Sequence, residues 1–85
     1  MTPLEELITR LQELQAMPDA DRVLALPRAI DDAKRLIRLE RGRAVEAATG
    51  PGGTTVVALA ARARCSRGAL DQVVTAWRAS QPKGD

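Results

Sequence analysis

Residues 56–74 read Val56-Val57-Ala58-Leu59-Ala60-Ala61-Arg62-Ala63-Arg64-Cys65-Ser66-Arg67-Gly68-Ala69-Leu70-Asp71-Gln72-Val73-Val74. Two helical patterns lie in this stretch. Thr54 or Thr55 can cap the first, which runs through Val57, Leu59, Ala60 and Ala63. Ser66 can cap the second, which carries Leu70, Val73, Val74 and Trp77 on one face. Only the region of Arg64-Cys65 separates them, and so short a connection forces the two helices to cross steeply. Leu59 and Ala63 are then expected to face the core, with Val56 opening the first helix. Ala60 is small where the helices come closest, Cys65 points inward from the corner, and Leu70 and Val73 pin the second helix to the first. Ser66, as a cap, leaves the first turn of that helix free to project outward.

Upstream of this stretch, Thr49-Gly50-Pro51-Gly52-Gly53 reads as a helix stop, a turn and a flexible joint. It is not a phosphate loop, because the nucleotide-binding pattern needs a Lys followed by Ser or Thr, and no Lys is present there. Before it, Ala29, Ile30, Ala33, Leu36, Ile37, Ala44, Val45 and Ala48 make a wide apolar face, which predicts a long helix over 28–49. Pro27 lies within the run and either kinks the helix or starts a new one; a short turn of helix is expected from Asp19 up to it. Asp31 and Arg35 stand at i,i+4 on the exposed side, and Gly42 weakens the middle by up to about 1 kcal/mol relative to Ala. The N-terminal helix, expected over 2–17, has Thr2 as cap, Pro3 in its first position and Glu5 to complete a capping box. Leu4, Leu7, Ile8, Leu11 and Leu14 form its apolar stripe, and Met17-Pro18 ends it. The tail, residues 81–85, is expected to be flexible.

Composition bounds the chemistry. The chain has 85 residues, no His, one Cys, one Trp and no Phe or Tyr. The length suits one domain, spanning 1–80, and a chain near this size buries only about 60% of its unfolded surface, so a partner is a reasonable expectation. The apolar residues are mostly Ala, Leu, Val and Ile. That predicts an all-α fold, a compact bundle of four or five helices, and not a β-sandwich. Without His there is no imidazole base or His metal ligand, and Cys65 alone cannot make a zinc site or an internal disulfide. Cys65 reads as a small buried hydrophobe, and Trp77 as a core or dimer contact on the apolar stripe. The adjacent Asp31 and Asp32 diverge by about 100° on a helix, so they are solvated charges and not a catalytic pair. No cofactor, no metal and no catalysis are expected. No apolar run reaches the ~20 residues of a membrane span, and the N-terminus lacks signal-peptide character, so the expected location is cytoplasmic, away from the membrane.

The charge is unevenly placed. Residues 1–33 hold three Arg against seven acids, net −4, whereas residues 34–85 hold ten basic residues against four acids, net +6. Eleven of the 13 basic residues are Arg, the side chain suited to two-pronged contacts with phosphate or guanine. The second half is therefore expected to face a polyanion.

The 56–74 stretch resembles the helix-turn-helix DNA-binding families, in particular small actinobacterial regulators related to the promoter-reading domain of sigma factors. The resemblance covers about a quarter of the chain. It implies a C-terminal helix-turn-helix over 54–80 with residues 66–79 as the recognition helix, sequence-specific binding of double-stranded DNA, and a role as a small transcriptional regulator. Ser66, Arg67, Gly68, Asp71, Gln72 and Thr75 would face outward. Arg67 suits guanine and Gln72 adenine; Asp71 must meet a base edge or pair with an Arg, and Thr75 completes the base-facing set. Thr54, Thr55 and Ser66, with helix-start N–H groups, would hold phosphates, and Arg62, Arg64 and Arg78 would add sequence-independent attraction. Arg64 stands where these families commonly have Gly. A non-Gly residue at positive φ is strained, so a longer or differently shaped turn is expected. Such proteins commonly act as dimers on two half-sites, so a homodimer is expected; the leucine stripe either pairs two copies or packs within one. The competing reading is an interaction module that binds a protein, for example a sigma factor or RNA polymerase, without reading DNA.

Overall fold

The first helix starts where Thr2 closes a reciprocal pair of hydrogen bonds. Its Oγ1 accepts the Glu5 N–H at 3.1 Å, and the Glu5 carboxylate accepts the Thr2 N–H at 3.2 Å. In the computed structural model, which describes residues 1–82, this helix is α1 (Pro3–Ala16), followed by α2 (Asp19–Ala48), α3 (Val56–Ala63) and α4 (Arg67–Ser80). Among the described residues the fold is all-α, with four helices and no strand, and no helix is long and apolar enough to cross a membrane. Of the expected flexible tail, Gln81 caps α4 through its N–H to the Arg78 carbonyl at 3.2 Å, while Lys83, Gly84 and Asp85 lie outside the described residues. The chain divides within α2 into two compact units, Met1–Ile37 and the remainder from Arg38.

In the first unit α1 runs back along the first part of α2. Met17 ends α1 ahead of Pro18, which cannot continue it. Arg22 then folds its guanidinium over the end of α1. Its Nε donates to the Leu14 carbonyl at 2.9 Å and its Nη2 to the carbonyls of Gln15 and Met17 at 3.2 and 2.7 Å. The last carbonyls of a helix lack their i+4 N–H partners; Leu14 keeps the capping Met17 N–H at 3.2 Å, and the arginine adds to it, satisfies Gln15 and Met17 and clamps the turn. Arg10 makes a second tie, from Nη1 to Asp32 at 3.1 Å and from Nη2 to Glu6 at 3.0 Å. The Glu6 hydrogen bond raises the Arg10 pKa against the opposing effect of desolvation, and the charges of Asp32, Glu6 and Glu13 add to the rise. Asp32 is thus an ion-pair partner and not the solvated charge its sequence position suggested. Between the helices, Leu7, Leu14, Met17, Ala25 and Ala29 line an open groove. The leucine stripe divides: Leu7 and Leu14 are half-buried, while Leu4, Ile8 and Leu11 are exposed.

The break expected at Pro27 does not occur. α2 is one helix of 30 residues with Pro27 inside it, and it ends at Ala48. Proline withdraws one N–H from the ladder and crowds the carbonyl four residues back, at Val23. Both residues are exposed. Water can therefore take up the freed carbonyl, and flanking helix on either side carries the conformation through.

The second unit holds the rest of α2, α3 and α4. Its core is Val45, Ala60, Leu70 and Val73, with Val56, Leu59, Cys65 and Val74 packed against it. Gly42 has a positive role here. It is buried, and a Cβ on it would stand 2.7 Å from the Val73 carbonyl carbon and 2.8 Å from the Trp77 Cβ. The glycine lets α4 cross α2 backbone against backbone. Of the expected apolar face, Val45 is buried whereas Ala44 and Ala48 are exposed. The Gly-Pro-Gly-Gly segment is a hydrogen-bonded turn more than a loose joint. The Gly53 N–H reaches the Gly50 carbonyl at 2.8 Å, and the Thr54 N–H reaches the Ala48 carbonyl at 3.0 Å.

Two substitutions separate these effects. Gly42→Ala gains about 1 kcal/mol in helix propensity but overpacks the crossing, so a net loss of about 1–3 kcal/mol is expected in chemical denaturation. Pro27→Ala restores a helical N–H on an exposed face and should raise stability by about 1–3 kcal/mol, read as a higher Tm.

Candidate nucleic-acid interface

The corner between α3 and α4 is built by three residues with three jobs. Thr55 caps α3, its Oγ1 accepting the Ala58 N–H at 3.1 Å. Arg64 ends α3 in the left-handed region, at φ 54° and ψ 43°. There the Cys65 N–H reaches back to the Ala60 carbonyl at 3.1 Å and the Arg64 N–H to Ala61 at 3.3 Å, the Schellman pattern of a helix stop. Ser66 caps α4, its Oγ accepting the Ala69 N–H at 3.0 Å. The longer turn expected from the absence of Gly does not form. Arg64 takes the conformation that glycine would take, and the core contacts of Ala60 and Leu70 on either side hold it there.

This corner decides what α4 hides and what it shows. Leu70 and Val73 are buried at 2% and 6% exposure, and Ala60, at 5%, supplies the small surface they close on. Cys65 is half-buried against the same cluster. Ala63, expected to face the core, is exposed, because it lies in the last turn of α3 where the chain is already leaving the core. Trp77 is half-buried.

The opposite face of α4 is polar and open. Arg67, Gly68, Asp71, Gln72 and Thr75 are all exposed. Asp71 faces Arg67 one turn away, with Oδ2 3.7 Å from the Arg67 Nε. Thr75 returns its hydroxyl proton to the Asp71 carbonyl at 2.9 Å. Gln72 stands beside this pair. Arg62 and Arg64 are exposed, and among the described residues neither is in an ion pair. Arg78 is committed differently: its Nε donates to Glu46 of α2 at 2.6 Å, which ties the far end of α4 down. Thr54 is half-buried, whereas Thr55 and Ser66 are exposed, with hydroxyl protons still able to donate.

One residue was beyond reach of the sequence pattern. Arg41 lies 24 positions from the corner, yet its Nη2 approaches the Cys65 Sγ at 3.6 Å. Arg41 is thereby brought to the corner that carries Arg64 in its turn and Arg67 in the first turn of α4, where the helix presents positive N–H ends. Such a surface can hold anionic oxygens and can offer two-pronged donors; among the described residues no group of acids, Cys or His could hold a metal ion.

The left-handed Arg64 has a measurable cost. Arg64→Gly should raise stability by about 0.5–1 kcal/mol in thermal or urea unfolding, because glycine carries no Cβ penalty there. A fall in Tm would mean that the arginine side chain itself holds the corner.

In comparisons with protein-family models, with curated proteins and with solved structures, the chain matches none.

Proposed function

We propose that residues 54–80 act as a helix-turn-helix that binds double-stranded DNA with sequence preference, as a small transcriptional regulator without catalytic chemistry. The observation that carries this reading is the division of α4 along its length. Leu70 and Val73 face a core, while Arg67, Asp71, Gln72 and Thr75 stand in solvent on the first two and a half turns. A helix seated in a major groove by its N-terminal part needs that arrangement. Arg67 offers a fork for guanine O6 and N7, and Gln72 a donor and acceptor for adenine. Asp71, beside Arg67, orients the guanidinium and can accept from a cytosine amino group. Arg62 and Arg64 supply attraction to phosphate, joined by Arg41, and Thr55 and Ser66 offer hydroxyls at two helix starts. Arg78 contributes less, since Glu46 already partners it.

Selection of bound sequences from random duplex DNA tests the proposal directly: a recurrent motif is expected. An empty selection moves the assignment to a protein-binding module. With a motif in hand, Arg67→Ala should cost about 1–3 kcal/mol on the best site and relax preference at one base pair. Arg62→Ala should weaken all sequences alike and lower the slope of log affinity against log salt by about 0.9. Equal affinity of both variants and the parent would remove α4 from the groove.

A further inference from the structure

The helical hairpin of the first unit leaves an apolar face bare. On α1, Leu4, Ile8 and Leu11 are 48%, 48% and 52% exposed; on α2, Val23, Ile30 and Ile37 are 67%, 56% and 56% exposed. The two rows lie on one side. Arg10 and Leu14 mark the edge of α1 that meets α2, and from there Leu4, Ile8 and Leu11 lie about a quarter turn round at about 100° per residue. Ala29 and Asp32 mark the edge of α2 that meets α1, and from there Val23, Ile30 and Ile37 lie about a third of a turn round in the same sense. In antiparallel helices equal senses lead to the same face. At the same pitch Arg28, Asp31 and Arg35 fall on the opposite side of α2. The face is therefore mainly apolar, with Lys34 one turn beyond Ile30 and Asp19 one turn before Val23 as its charges, which suits an apolar partner better than a nucleic acid.

We infer that this face pairs with the same face of a second copy of the chain. Three observations select that occupant. The first is symmetry: Val23 and Ile37 each stand seven residues from Ile30. A two-fold axis crossing α2 at Ile30 sets Ile30 on itself and Val23 on the second copy's Ile37. The hairpin puts Leu7 and Ile8 within about one helical turn of that level, where the same axis sets Leu4 on the second copy's Leu11. Such a patch is self-complementary, as an isologous dimer requires. The second is size. From Val23 to Ile37 the face is about 21 Å long, and it is two helices wide. At two helix diameters of about 10 Å its footprint is roughly 400 Å², about half of the ~800 Å² that each partner gives to a stable interface, so the flanking side chains must contribute the rest. The third is need: in this unit only Pro3 and Leu36 are buried. Two helices without an opposing layer make a marginal unit, and a second hairpin turns them into a four-helix arrangement.

The pairing surface stands on the hairpin alone and does not rest on DNA binding, so each can fail without the other. Sedimentation equilibrium of the full chain without DNA should give a dimer at micromolar concentration. Ile30→Lys should sediment as a monomer with unchanged helical circular dichroism, since the residue is exposed in the single chain, while Val57→Lys on α3 should remain dimeric. In a Cys65→Ser background, Ile30→Cys should be bridged between copies by a short bismaleimide, because the axis brings that position to itself. Leu24→Cys, 81% exposed and off the face, should not be bridged. If Ile30→Lys unfolds, the two cysteine variants decide. A monomeric parent chain, a folded Ile30→Lys that stays dimeric, or equal bridging of both cysteines would overturn the inference.

Discussion

Leu70 and Val73 close on Ala60 and Val45, and the rest of the second unit follows from that closure. Two buried aliphatic side chains at one edge of α4 leave the other edge no choice but solvent. At roughly 1.5–3 kcal/mol for each aliphatic side chain fully buried, this small cluster outweighs the cost of holding Arg64 in a left-handed conformation. It also outweighs the propensity lost at Gly42, whose missing Cβ is what lets the α4 backbone come close. Both unfavourable local choices sit directly beside the cluster that compensates them.

The first unit is organised on a different principle. Its two helices are held by polar ties, Arg22 over the carbonyls at the end of α1 and Arg10 between Glu6 and Asp32. Exposed ion pairs contribute little each, and their apolar neighbours are largely uncovered. A hairpin that orients itself by hydrogen bonds and keeps its aliphatic residues outside is a unit whose stability depends on what it meets. The basic corner thus lies in the second unit and the bare apolar face in the first.

Much of the fold was legible because local chemistry and final structure agree. Thr2, Pro3 and Glu5 start α1, Met17-Pro18 ends it, and Thr55 and Ser66 cap their helices, since each acts over three or four residues. The polar row of α4 was readable from helical period once Leu70 and Val73 were taken as the inward pair. Pro27 misled because its cost is local while the helix on both sides is continuous. Gly42 read as a weakness because only the approach of Val73 and Trp77 shows what the absent Cβ permits. Arg41 and Glu46 could not be placed near Cys65 and Arg78 by any spacing rule.

By itself the sequence determined helix starts and stops, the lack of any imidazole, and the concentration of arginine in the second half. These depend on neighbours along the chain or on residue types alone. Tertiary structure decided which half of the leucine stripe is covered, which arginines are tied to carboxylates and which stand open, and that a left-handed arginine could serve in a glycine's place. Those outcomes depend on which surfaces meet. Contacts between residues 22 to 32 positions apart set them, and no period along the chain encodes such contacts.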